Sequence, residues 1–205
     1  MIRTTFALRT ACLTLSLAAT VLAGCRVDHH TDNHGDDVKV ATPFGGVSVK
    51  TNGADVQNKI GLDVYPGAVP EERKKDNDNA ADVNLSFGDF HLGLKAASYT
   101  TPDDPAKVQA FYRKALARYG TVIQCRGNKP VGTPVRTDQG LTCENEGKHI
   151  QFDEENSSNE LKAGSKTHQH VVSIDARGSG SKFGLVLLDL PSSLMNSSDK
   201  PDDKE

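Results

Sequence analysis

The chain has no tryptophan, seven phenylalanines and four tyrosines, so aromatics make up only 5% of it and the core they can build is modest. It lacks a strong charge of either sign. A formal net charge of −3 leaves no basic surface for nucleic acid, and no nucleic-acid partner is expected. Beyond the first two dozen residues there is no apolar run long enough to cross a bilayer. No Walker A, G-x-S-x-G or H-E-x-x-H pattern occurs, so the commonest phosphate, acyl-transfer and metalloprotease signatures are missing. Paired carboxylates such as Asp103/Asp104 and Glu154/Glu155 fall in caps and loops with no partner base, which gives no case for acid–base catalysis. No catalytic residue is assigned; a non-enzymatic role is the first reading, and an enzyme with an unrecognised site stands as a further alternative.

What is present begins at the N-terminus. Arg3 and Arg9 flank the start of a small or apolar run from Ala11 to Ala23, with Leu13, Leu15, Leu17, Val21 and Leu22 as its bulky members. This run has the length of a secretory h-region and is too short to span. It ends in Leu22-Ala23-Gly24-Cys25, which resembles the lipobox of bacterial lipoproteins. The resemblance implies cleavage before Cys25 and acylation of its thiol, with the membrane as partner through that lipid. One acyl chain holds marginally, at ~0.8 kcal/mol per buried CH₂, whereas two or more anchor stably. Arg26 follows Cys25, and under the enterobacterial sorting rule it favours the outer membrane. The rest of the chain would then lie in the periplasm.

Cysteines follow from that compartment. Cys12 leaves with the signal and Cys25 takes the lipid, so Cys125 and Cys143 remain as a pair in an oxidising setting, which favours a disulfide. Their spacing is wrong for a redox C-x-x-C motif, and a two-Cys metal site would need histidine partners.

Residues 26–37 are rich in His and Asp: His29, His30 and His34 stand among Asp28, Asp32 and Asp36. The segment reads as a solvated spacer between lipid and domain. Imidazole beside carboxylate also suits a divalent metal, so a metal-catching tract is the alternative. Val38–Thr42 and Val47–Lys50 alternate around Pro43-Phe44-Gly45-Gly46, predicting a small hairpin. Helical turns are expected over 52–60, stopped by Gly61, then a short strand at Leu62–Tyr65 before Pro66-Gly67. A charged loop covers 70–82. Val83–Phe87 and Phe90–Thr100 read as paired strands about a Gly88-Asp89 turn.

The strongest periodic signal lies further on. Asp104 is an N-cap and Pro105 an N1 residue. Val108, Phe111, Tyr112, Ala115, Leu116 and Tyr119 then fall on one stripe, predicting a helix over about 104–119 with Gly120 behind it. Phe111 is expected in the core. Strands are predicted at 121–125, 141–143 and 148–152, and a last hairpin joins 167–175 to 182–189. Gly178, Gly180 and Gly184 sit between strand patterns, so they read as turn and not as a phosphate loop.

Thr-Pro-Phe-Gly-Gly (42–46), Gly-Leu-Asp-Val-Tyr-Pro-Gly-Ala (61–68) and Phe-Tyr-Arg-Lys-Ala-Leu (111–116) occur in this order. Together they resemble an uncharacterised group of bacterial predicted lipoproteins, over most of the chain from about Val38 to Leu190. That resemblance implies no activity and no catalytic residue.

The expected organisation is a signal peptide (1–24), a polar tether (25–37), one α+β domain (38–190) and a disordered tail (191–205). Its fold class would be an antiparallel sheet with the 104–119 helix packed on it, preceded by the small N-terminal hairpin. The expected role is a membrane-tethered envelope protein that binds a protein partner or supports structure. The alternative is a periplasmic metal-binding protein. His168 and His170 alternate on a strand and would share one face, and His149 would complete a site if folding brought it near. Two solvent-facing histidines at a sheet edge would look the same in sequence. No cofactor is assigned beyond such a metal.

Overall fold

The computed structural model describes residues 25–32, 35–71, 79–144 and 159–193. The expected signal peptide, the 72–78 part of the charged loop, the strand at 148–152, His34, His149 and the tail from 194 lie outside these residues.

Among the described residues, eleven antiparallel strands form one sheet. In chain order they are β1 (Arg26–Asp32), β2 (Gly35–Thr42), β3 (Gly45–Lys50), β4 (Val69–Pro70), β5 (Ala80–Phe87) and β6 (Phe90–Thr101). Then come β7 (Ile123–Arg126), β8 (Lys129–Pro130), β9 (Asn159–Gly164), β10 (His168–Arg177) and β11 (Gly180–Asp189). Across the sheet the order is β1-β2-β3-β5-β6-β11-β10-β9-β7-β8, with β4 beside β6. Two short helices, α1 (Gly53–Ile60) and α2 (Pro105–Leu116), complete the described elements with a 3₁₀ turn at Ala117–Tyr119.

The expected α+β class is therefore corrected. Strand accounts for 54% and helix for 17% of the described residues, so the extended sheet defines the architecture and not a helix laid on a sheet. Two segments account for the difference. Arg26–Asp32, expected as a tether, is a strand paired to β2 from Arg26↔Ala41 to Asp32↔Gly35. Asn159–Gly164, expected as loop, is β9, paired to both β10 and β7. Backbone pairing holds β1 although its described side chains are exposed, so no apolar pattern announces it. The short strand expected at Leu62–Tyr65 is an extended connection without ladder partners, and 141–143 makes only an isolated bridge.

Local chemistry explains the helices. In α1, Asn52 accepts from the Asp55 amide, and Gly61 closes the helix at φ 74°, a left-handed position that suits glycine. In α2, Asp104 accepts from the Ala106 amide behind Pro105. Both helices lie on one face of the sheet. Val56 and Ile60 from α1, and Val108, Tyr112 and Leu116 from α2, join Tyr99, Phe183, Leu185, Val172 and Leu161 in one buried cluster. Lys59 reaches from α1 to the buried Asp82 carboxylate at 2.8 Å, which also accepts from Asn84 at 2.6 Å.

The motifs at 61–68 and 111–116 meet in this core. The Tyr65 amide donates to Tyr112 Oη at 3.0 Å, and Tyr112 donates to the Asp63 carbonyl at 3.2 Å. Burial pushes the Tyr112 phenol well above its ordinary pKa, so it keeps that proton. Tyr65 and Phe111 pack edge to face at 5.3 Å. Phe111 itself is half-buried at the rim of the core, while its neighbour Tyr112 is fully inside.

The opposite face differs. Register aligns Val40, Val47, Leu85 and Leu92 across β2, β3, β5 and β6, and Val38, Val49, Val83 and Leu94 beside them. These side chains are half-buried, and both helices pack on the other face. Toward β7 this second face has its own small core of Ile123, Cys125, Leu141 and Cys143.

Candidate functional site

Cys125 and Cys143 form a disulfide, with S–S 1.98 Å and Cα–Cα 5.5 Å. It ties β7 to the returning loop. Thr137 fastens the same loop, donating from Oγ1 to the Gly164 carbonyl at 2.8 Å and accepting from the Leu141 amide at 2.9 Å. The pair is structural, buried on both sides.

His168 and His170 do project from the same face of β10, with ring centroids 5.3 Å apart in an edge-on arrangement. Each ring is already engaged. His168 Nδ1 lies 2.5 Å from Asp189 Oδ1 across the β10–β11 pair. His170 is 3% exposed and stacks flat on Tyr119 at 3.6 Å, between the sheet and the end of α2. Its Nδ1 has no hydrogen-bond partner among the described residues. Among those residues no group of three or more His, Cys, Asp or Glu side chains could hold a metal ion. His29 and His30 sit exposed on β1, where alternation sends them to opposite faces of the sheet. His29 approaches Asp36 at 3.9 Å.

Burial, then the nearby His168, holds the His170 imidazole down at about 4 against an ordinary 6.5. The ring is thus neutral in the folded protein at neutral pH. Between those values the unfolded chain binds a proton that the folded chain does not, so stability rises with pH through this window. The slope from this group is at most ~1.4 kcal/mol per pH unit. Urea midpoints measured from pH 7 to 4 should fall more steeply for the wild type than for His170→Phe, which keeps the stack on Tyr119. Parallel curves would show that His170 is not the group responsible.

His168 and Asp189 also border an open concavity of about 570 Å³, with Asp89, Phe90, His91, Thr167 and Pro191 around it. Asp189 further approaches Lys95 at 3.7 Å. The Asp189 carboxylate fixes the orientation of the His168 ring. Neither Asp189 nor Tyr119 figured as a site residue in the sequence. The signal would have been strand register, which places Asp189 opposite His168, and that is a long-range property.

Cys25 is exposed and immediately precedes β1. Among the described residues no helix is long and apolar enough to cross a membrane. No family model, curated protein or solved structure matches the chain.

Proposed function

We propose that this chain is a lipid-anchored protein of the bacterial cell envelope, acylated at Cys25, whose domain stands in the periplasm and serves as a binding or structural module. The observation that carries this reading is Leu22-Ala23-Gly24-Cys25 behind a basic start and an apolar run. The motif resemblance at 42–46, 61–68 and 111–116 points the same way. The Cys125–Cys143 disulfide is in keeping with an oxidising compartment. Arg26 favours the outer membrane, and an envelope protein is the expected partner.

The test is Cys25→Ser in a bacterial host fed an alkyne-labelled palmitate. The wild type should incorporate the label and sediment with membranes. The variant should lose the label entirely, because the acyl-accepting thiol is gone. Equal labelling and equal sedimentation of the two proteins would overturn the proposal.

A further inference from the structure

We infer that one end of the sheet lies directly against the lipid surface, with Phe44 and Phe87 as the residues that enter it. This rests on the proposed acylation of Cys25, and three observations extend it.

The first is the missing slack. A lipid on Cys25 fixes that residue at the bilayer interface. β1 begins at the next residue, Arg26, already paired to Ala41. A flexible tether would let the domain swing clear of the headgroups, but here the strand starts where the lipid ends.

The second is register. Arg26↔Ala41 puts Cys25 level with Thr42, at the base of the β2–β3 turn that carries Phe44. Gly45 pairs with Phe87, and Phe87 pairs with Phe90 across the β5–β6 turn. Cys25, Phe44 and Phe87 thus share one end of the sheet. They span three strand spacings, about 15 Å at ~4.8 Å each.

The third is exposure. Phe44 is 84% and Phe87 46% exposed, whereas Tyr65, Tyr99, Phe111, Tyr112, Tyr119 and Phe183 pack together in the core. A hairpin tip does not need phenylalanine. Gly45 beside it is dictated by packing, since a Cβ there would stand 2.0 Å from the Ser86 carbonyl oxygen. No such constraint selects Phe44. An aromatic ring at a tip level with an acylated residue suits the acyl–headgroup boundary.

Absence of tryptophan makes the test clean. Phe44→Trp places a sole indole at the docked end. Val69→Trp places one at the far end, where Val69 is 58% exposed and pairs with Thr100, ten residues from Phe90 and about 34 Å along β6. The full-length lipidated variants are purified from bacterial membranes and inserted in vesicles of phosphatidylethanolamine and phosphatidylglycerol, with or without brominated acyl chains. Phe44→Trp should shift to the blue and lose at least about half its emission to brominated lipid. Val69→Trp should do neither, and Phe87→Trp should be quenched to an intermediate degree. Vesicle flotation and the intact mass report the acyl group separately. Acylated protein that floats but shows no quenching at position 44 overturns the docking while leaving the anchor intact. A blue shift without quenching overturns it too, since protein would then cover the tip. A mass without acyl chains overturns both readings.

Discussion

Phe183→Ala should cost roughly 3–5 kcal/mol of folding stability, the range for emptying a fully buried phenylalanine site. Phe183 is 1% exposed on the helix-covered face of β11. It stacks on Tyr99 at 5.6 Å, tilts against Tyr112 at 5.4 Å and meets Tyr65 edge-on at 6.4 Å. Removing the ring would take one contact from each of three aromatic neighbours at once, although Tyr65 and Tyr112 would keep Phe111. The site cannot collapse easily, because Tyr112 is pinned by its bonds to the Tyr65 amide and the Asp63 carbonyl. Phe111→Ala is the internal comparison. That ring lies at the rim, so its loss should cost only ~1–2 kcal/mol. Urea denaturation of both variants should show a fall in midpoint with little change in slope. Equal losses at the two positions would show that the core is not centred on Phe183.

The contrast between these two phenylalanines also measures what sequence could convey. The stripe of α2 was legible because a 3.6 period repeats over several turns behind Asp104-Pro105, yet the stripe does not say which member points inward furthest. Tyr112 sits at its centre and Phe111 at its margin. The hairpins of β5–β6 and β10–β11 were legible because apolar residues alternate along their strands on either side of a short turn. β1 was not, because its side chains stay in solvent and only its backbone pairs. β9 was not, because Leu161 and Ala163 are too few to stand out from a polar stretch. These two strands turned an expected helix-on-sheet domain into a mainly β one. The same distinction runs through the candidate sites. Cys125 and Cys143 could be paired by elimination. His168 and His170 could be placed on one face by parity. Their actual partners, Asp189 and Tyr119, depend on strand register and on where α2 ends, neither of which is local. The motifs at 61–68 and 111–116 are far apart along the chain, and the Tyr65–Tyr112 contact brings them together in the core.

Loss of the disulfide should have the second large effect. Cys125 and Cys143 are 18 residues apart, and closing a loop of that size stabilises by ~3 kcal/mol in the chain-entropy account. Here the bridge does more than shorten the unfolded chain. Among the described residues, Ile123, Cys125, Leu141 and Cys143 form the buried cluster on that face, so two of its four members are the bridged cysteines. Without the bridge, the loop would be held by Thr137 and by short bridges such as Arg136↔Thr142. A paired Cys125→Ala and Cys143→Ala variant should therefore lose about 3 kcal/mol, and its urea midpoint should ignore reductant. Reduction of the wild type should move its midpoint toward that of the variant. The order of events is informative as well. Most of the loop is exposed, so amides from Thr137 to Leu141 should gain hydrogen exchange first, while those of β10 and β11 stay protected until global unfolding. A midpoint that shifts by no more than a few tenths of a kcal/mol on reduction would show that the Thr137 contacts alone hold the second face closed.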